Sequence, residues 1–461
     1  MADVKVRRPF CNKGRSWKNV CGGREMQKTI AEKLHSYKIH QPPAWLYLLL
    51  ANIWKILFWK KLGVSVEYKV DPRKHEGPYI VVSNHASRVD YLYTGIPFLP
   101  HRMNYVAGYN EFFRSHLALV FRLLQVIPKK NFVPDLYCVR EVRRVLKSGG
   151  RICIFPEGMS SISGANQPVA LGSAKILKSC RVAVFVTRIA GGYLTNTKYC
   201  LDERRGKVKV VVDMLFTAEE LKTLSAKEIE ERLHEAIKHD DYAWNKKERI
   251  AYDGHGEMAK NMQDLLYWCP RCGKEFTMEG QGDTITCSAC GNSAAVNEYY
   301  DLIPKDETCV IPETPRVWFD LERERAAQAV RASDFVLEEK VQLGMLPKYK
   351  HLTKEATSEI VGEGTLALDQ TGICYRGTCR GETVELRQNI AQLPTYGMCT
   401  DVTRFYTFIG DEFCEFYPES RSVGKWLHCT EEMHRFMGGK WENFRDYQNR
   451  YDGVGAEDAV V

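Results

Sequence analysis

At 461 residues the chain has room for about three domains of roughly 150 residues each. Its composition is ordinary for a globular protein, and its net charge of +7 is unevenly placed: residues 1–40 carry ten Lys/Arg against Asp3, Glu25 and Glu32. The remainder is nearly neutral, so no nucleic-acid-binding surface is expected. Sixteen cysteines, four of them in paired Cys-x-x-Cys units and the others scattered, exclude a disulfide framework and fit a reducing compartment. No apolar core with a small-residue cleavage site closely follows the basic stretch, so no secretory signal is expected.

Residues 1–40 read as a basic arm. Residues 41–62 contain the apolar run Ala44–Trp59, interrupted by Asn52 and Lys55 and closed by Lys60-Lys61. Sixteen helical residues span about 24 Å at 1.5 Å each, short of a hydrocarbon core about 30 Å thick. Trp45, Trp54 and Trp59 suit the headgroup boundary. The expected arrangement is a monotopic helix lying in one leaflet, with the basic arm on anionic lipid headgroups. A buried helix packed on the next domain is the alternative reading of the same residues.

Residues 63–250 alternate strands and helices. Strands are predicted at Tyr79–Ser83, Arg151–Phe155, Val182–Thr187 and Lys207–Asp213; helices at Tyr91–Leu99, Phe112–Leu124, Pro134–Lys147 and Ser225–His239. This alternation predicts an α/β sheet with helices on its faces. Two of the strands end in polar groups: Asn84-His85-Ala86-Ser87-Arg88-Val89-Asp90 follows the first, and Phe155-Pro156-Glu157-Gly158 ends the second. Open α/β sheets build active sites in the crevice beyond such strand ends. A histidine with an aspartate five positions on suggests a general base and the group that orients it. Ser87-x-x-Asp90 is also a capping-box pattern, and both readings can hold together.

The two motifs, in this order and at this spacing, resemble the glycerolipid acyltransferase family that includes the lysophosphatidic acid acyltransferases. The resemblance covers roughly residues 45–250 and implies transfer of a fatty acyl group from acyl-CoA or acyl-carrier protein to a lysolipid hydroxyl. His85 is assigned as the base that takes the hydroxyl proton, worth typically about 10²–10⁴-fold. Asp90 fixes its tautomer and stabilises the imidazolium. The resemblance implies that Glu157 and Gly158 hold the glycerol portion of the acceptor. The chain departs from the family in its anion-binding parts. Ser160 stands where an arginine is usual, and Gln125–Asn131 lacks the usual Asp-Arg pair. Lysine still binds phosphate as a point charge, which makes Lys129, Lys130, Arg188 and Arg88 the candidate phosphate contacts. Leu171-Gly172-Ser173-Ala174 matches a helix opening common in the family.

Residues 265–303 carry Cys269-x-x-Cys272-Gly273 and Cys287-x-x-Cys290-Gly291, with fourteen residues between the knuckles. Four thiolates at this spacing predict a closed, structural Zn2+ site, with hairpin strands at Glu275–Thr277 and Asp283–Thr286. Residues 304–315 form a proline-rich connector. A single long helix is predicted over Trp318–Glu339 within a 316–343 linker, with Glu322, Arg323, Glu324 and Arg325 on exposed faces. Residues 355–451 alternate as β-strands at Thr365–Leu368, Ile373–Tyr375, Thr383–Leu386, Arg404–Ile409 and Glu412–Tyr417. A tight turn is expected at Gly410-Asp411, and a helix from Thr430 to about Tyr451 closes the region. The pattern resembles a PH/GRAM-type barrel, and a disordered tail is expected over 452–461.

The fold class expected is therefore an α/β acyltransferase domain, a small zinc ribbon and an α+β C-terminal domain of barrel plus helix. The function expected is membrane-associated O-acyl transfer in phospholipid synthesis or remodelling, at the cytoplasmic face of the cell membrane. The partners are the anionic membrane surface, the acyl donor and a lysolipid acceptor. A non-catalytic lipid-binding scaffold with a degenerate acyltransferase domain is the alternative.

Overall fold

A computed structural model of the chain describes residues 28–170 and 172–439. Most of the basic arm, Leu171, the predicted last turns of the closing helix and the tail from 452 lie outside the described residues.

The first unit is a seven-stranded sheet of β1 (Val64–Tyr68), β2 (Tyr79–Ser83), β3 (Asn104–Gly108), β4 (Ile127–Lys129), β5 (Arg151–Ile154), β6 (Ala183–Ala190) and β7 (Val208–Phe216). Its spatial order is β1-β7-β6-β2-β5-β3-β4. All neighbours are parallel except β6 and β7. All five β2 residues are buried, as expected for a central strand covered on both faces. Strand alternation divides the core in two. Ile80, Val82, Ile152, Val184 and Val186 pack one face together with α5 (Leu136–Lys147), α6 (Ser173–Cys180) and α9 (Ala226–Ile237). Tyr79, Val81, Cys153 and Phe185 pack the other with α3 (Asp90–Gly95). The edge strands β1 and β4 and the inner strand β3 escape sequence prediction: β4 has three residues and contains Pro128, and β1 and β3 are only partly buried, without the continuous apolar run of β2.

Two short helices precede the sheet, α1 (Ile30–Ser36) and α2 (Ala44–Trp54), the latter running into a π-helical turn at Lys55–Trp59. Tyr47 is buried and Trp54 and Phe58 pack on the sheet core, whereas Ile56 is 78% and Trp45 70% exposed, alongside exposed Leu49, Ile53 and Leu57. The segment is therefore half packed and half bare. Among the described residues no helix is long and apolar enough to cross a membrane. The remaining helices of this unit are α4 (Ser115–Leu123), α7 (Gly192–Thr195), α8 (Glu220–Thr223) and α10 (Asp241–Glu248).

The cysteine-rich segment forms a four-stranded antiparallel sheet, ordered β11-β10-β9-β8, of β8 (Met278–Gln281), β9 (Thr284–Cys287), β10 (Ser293–Val296) and β11 (Leu302–Pro304). The first hairpin strand thus begins at Met278, after the predicted Glu275–Thr277. That stretch is held instead by a single bridge from Glu275 to Trp268.

The last unit corrects three expectations. The long helix divides into α11 (Pro315–Ala329) and a strand, β12 (Leu337–Met345). Leu337, Val341 and Leu343 alternate with exposed Glu338, Lys340 and Gln342, a period of two that no helix can bury. Glu322 and Arg323 are not exposed but fully buried, because α11 packs on α12 (Val423–Phe436) and Arg323 ion-pairs there with Glu431 at 2.6 Å. The closing helix starts at Val423, seven residues earlier than predicted, and ends at Phe436. Its burial between Phe319 and Phe405 replaces the amphipathic signature that marks a surface helix.

The remaining strands are β13 (Glu359–Asp369), β14 (Gly372–Cys379), β15 (Glu382–Asn389), β16 (Gly397–Met398), β17 (Phe405–Ile409) and β18 (Glu412–Pro418). They form a seven-stranded antiparallel half-barrel sheet in the order β15-β14-β13-β12-β18-β17-β16, open between β15 and β16 rather than a closed barrel. The predicted two-residue turn at Gly410-Asp411 joins β17 to β18, with Ile409 paired to Glu412.

The three units share one core. Met159, Ile162 and Tyr193 of the first unit, Cys269 and Cys287 of the second, and Trp318, Leu343 and Trp426 of the third belong to a single buried cluster. A short β-bridge from Arg114 to Leu352 and the backbone bond from Ile30 N–H to the Lys348 carbonyl (2.9 Å) add further seams.

Candidate active site

β2 and β5 are adjacent and parallel, with Val82 opposite Ile154, so the two polar motifs emerge side by side at the carboxyl ends of the strands. Asn84 fixes the exit of β2. Its side-chain amide donates to the Ile189 carbonyl and its oxygen accepts the Ile189 N–H, both at 2.8 Å, extending the ladder to β6 by a side chain. His85 is then held on every side. Its N–H donates to Glu157 Oε1 at 2.6 Å, its carbonyl accepts the Ser161 N–H at 2.6 Å, and its ring stacks on Phe155 at 4.4 Å. Nδ1 lies 2.8 Å from Asp90 Oδ2. With Nδ1 committed to a carboxylate, Nε2 of a ring that is 23% exposed is the nitrogen open to a reactant.

Asp90 opens α3 and is fully buried. It accepts the Ser87 N–H at 3.0 Å and the Ser87 hydroxyl at 2.6 Å besides facing His85. The N-cap is Val89, not Ser87. The capping box is therefore half present: the carboxylate reaches back to the Ser87 N–H, and the Ser87 oxygen accepts from Val89 N–H at 3.3 Å. One aspartate serves the loop turn and the histidine together.

Glu157 has a different place from the one expected of a residue that holds the acceptor. It is 1% exposed, and its two oxygens accept the backbone N–H groups of His85 and Gln167. Burial pushes its carboxyl up to about 8, against the downward pull of those two N–H groups. Its observed role is to pin the His85 loop to the 156–167 loop. Gly158 has φ +80°, and a Cβ there would come within 3.2 Å of the Phe132 ring, so this position accommodates a tight turn under Phe132.

The four predicted phosphate contacts are dispersed. Lys130 Nζ is 3.1 Å from Asp411 and 5.5 Å from the centre of the Phe408 ring, tied to the β17–β18 hairpin. Lys129 Nζ donates to the Lys130 carbonyl at 3.0 Å. Arg188 lies between Thr187 and Ile189 on β6; Ile189 packs on the α3 side, so Arg188 points to the opposite face. Arg88, in the same loop as His85, turns to the Leu201 carbonyl, to which its guanidinium donates. Sequence reading missed Lys198, whose Nζ donates to Ser160 Oγ at 3.1 Å. No motif marks it, since it stands 38 residues beyond Ser160.

The four cysteines of the ribbon converge. The Sγ atoms of Cys269, Cys272, Cys287 and Cys290 all lie within 4.8 Å of one another. Cys269–Cys290 and Cys272–Cys287 are 3.7 and 3.8 Å apart. A zinc–sulfur bond of about 2.3 Å gives tetrahedron edges of about 3.8 Å, so the donor set fits Zn2+. Gly273 and Gly291, both at positive φ, close the two knuckles. The Thr277 hydroxyl at 3.2 Å from Cys287 and the Asn292 amide at 3.7 Å from Cys269 supply outer contacts. A hollow of about 270 Å³ lined by Pro78, Arg181 and Ala183 lies at the opposite ends of β2 and β6, away from His85.

Residues 65–190 match the family described as Acyltransferase. Over 167 residues the chain is 20% identical to the 1-acyl-sn-glycerol-3-phosphate acyltransferase of Bacillus subtilis (strain 168), covering 36% of this chain and 80% of that protein. Among solved structures it is similar to the 1-acyl-sn-glycerophosphate (LPA) acyltransferase PlsC from Thermotoga maritima, at 20% identity and a TM-score of 0.37, covering 44% of this chain and 80% of that one. The matched span contains β2 to β6, His85, Asp90 and Glu157, so the similarity reaches both strand exits.

Proposed function

We propose that the chain is a membrane-surface O-acyltransferase that moves a fatty acyl group from acyl-CoA or acyl-carrier protein to the hydroxyl of lysophosphatidic acid or a related lysolipid. The observation that carries this reading is the His85–Asp90 pair at the mouth of β2, with Nδ1 on the carboxylate and Nε2 open. The acceptor hydroxyl gives its proton to Nε2 as its oxygen attacks the thioester carbonyl. The C–S bond then breaks, and the departing thiolate takes the proton back from the imidazolium. The products are an ester and a free thiol, with no covalent enzyme intermediate. Asp90 sets the tautomer, and Glu157 sets the position of the loop. The exposed face of α2 and its π turn would lie in the headgroup layer of an anionic cytoplasmic leaflet, and the four cysteines would hold a structural Zn2+.

The test is an assay of purified protein with labelled acyl-CoA and acyl-carrier protein against a panel of lysolipids. Wild type should acylate at least one acceptor, and His85→Ala should lose turnover while still binding vesicles. Equal inactivity of both on every acceptor would replace this reading with that of a non-catalytic scaffold.

A further inference from the structure

Ser160 occupies the position where the family resemblance implies a cation, and the structure brings a cation to it from elsewhere. Lys198 is 4% exposed, and Ser160 Oγ is the partner its amino group reaches. Arg88 lies close enough to interact electrostatically with Lys198: its Nη2 holds the Leu201 carbonyl, while its Nη1 is buried with no hydrogen-bond partner among the described residues. The nearby acids are committed to other cations, Asp202 to Lys260 at 2.7 Å, Glu203 to Lys61 at 2.7 Å and Asp401 to Arg404 at 3.0 Å. Cys399, which also faces Lys198, is kept protonated by burial and by Glu415. Among the described residues neither cation has an ion pair of its own, and since Lys198 is buried and Arg88 partly buried this is costly; an anion that enters between them relieves that cost. Burial brings the Lys198 ammonium down to about 8, against the upward pull of Cys399 and Asp401, and repulsion by Arg88 adds a smaller push in the same direction as burial. The place is also right: Ser160 is half-buried, and its neighbour Ser161 donates to the His85 carbonyl.

We infer that Lys198 and Arg88, gathered at Ser160, form the binding site for a phosphate ester of the substrate. The identity of the ligand rests on the acyltransferase reading; the anion site does not. The phosphate belongs to the acceptor headgroup or to the acyl donor.

Binding of sn-glycerol 3-phosphate and of coenzyme A, with glycerol and pantetheine as their phosphate-free counterparts, separates these sources by calorimetry on the full chain. Wild type and His85→Ala should bind at least one phosphate-bearing probe and neither counterpart. Lys198→Met should weaken that binding about ten- to hundredfold, Lys198→Arg should restore part of it, and Lys198→Met should melt no lower than wild type, since it removes an unpaired buried charge. Dependence of glycerol 3-phosphate binding on Lys198 assigns the site to the acceptor, and dependence of coenzyme A binding alone assigns it to the donor. Phosphate binding through Lys198 in a protein that acylates nothing would keep the site and remove the acyltransferase reading. The inference is overturned if neither phosphate probe binds wild type. It is overturned equally if Lys198→Met, folded as judged by its melting curve, binds both as wild type does.

Discussion

Glu157 accepts the backbone N–H of His85 at 2.6 Å. The exit of β5 therefore grips that of β2 by its main chain, and the acid of Phe-Pro-Glu-Gly, itself buried, holds the His85 loop in place. That relationship organises what substitutions at the site should do.

His85→Ala should lower kcat by about 10²–10⁴-fold or more, the ordinary contribution of a positioned base. Asp90→Asn should lower kcat and also the melting temperature, since an amide cannot accept from Ser87 N–H, Ser87 Oγ–H and His85 together. Single-turnover acylation read alongside thermal unfolding checks both. Full activity in either variant would remove the pair from the chemistry.

Glu157→Gln replaces an acceptor oxygen by an amide donor, so one of the two N–H groups, from His85 or from Gln167, loses its partner. A loss of about 1–3 kcal/mol in stability follows from the unpaired buried donor, and the displaced His85 should turn over about 10²-fold more slowly. The pH dependence has a definite sign. The folded carboxyl is raised from 4.5 to about 8, so between those values the folded state holds one proton more than the unfolded state. Stability from this group is full below about 4.5, falls as pH rises through the window, and is constant above about 8. The wild-type minus Glu157→Gln difference in unfolding free energy should shrink by a few kcal/mol, on that order, from pH 5 to pH 8. A flat difference would mean that the carboxyl is already ionised in the folded protein at pH 5.

Metal analysis should find one zinc per chain, bound by Cys269, Cys272, Cys287 and Cys290. Chelation or Cys269→Ser should lower the melting temperature by about 10 °C or more, because structural zinc binding is folding free energy. The loss should reach acyl transfer, since Cys269 and Cys287 share a core with Met159 and Ile162. A metal-free protein with an unchanged melting curve would refute the zinc site.

The bare face of α2 and its π turn predicts vesicle binding. Ile56→Asp with Leu57→Asp should weaken sedimentation with anionic vesicles by tenfold or more, at about 1.5–3 kcal/mol per buried side chain. The melting temperature should not move, because both side chains are exposed in the protein alone. Unaltered sedimentation would place the contact elsewhere.

Period-two runs with both faces apolar were readable: Tyr79–Ser83 became β2, the centre of the sheet, with the boundaries expected. The knuckle spacing was readable because Cys-x-x-Cys geometry is local. The long helix over Trp318–Glu339 was misread because charged residues such as Glu322 and Arg323 look solvent-facing until α12 supplies their buried partners. The edge strand β4 carries too few residues to show a period, and β3 (Asn104–Gly108) mixes polar and small residues instead of the apolar run of β2.

The sequence alone picked out the pairing of His85 with Asp90 and the convergence of the four thiols, because each depends on residues close together along the chain. Tertiary structure decided which groups meet across long separations. Packing turned Glu157 inward onto the His85 backbone, withdrew Lys130 to Asp411 and moved Arg188 to the far face. It also delivered Lys198 to Ser160. Burial and pairing are properties of the folded neighbourhood, and a linear pattern carries no record of which distant residue will fill it.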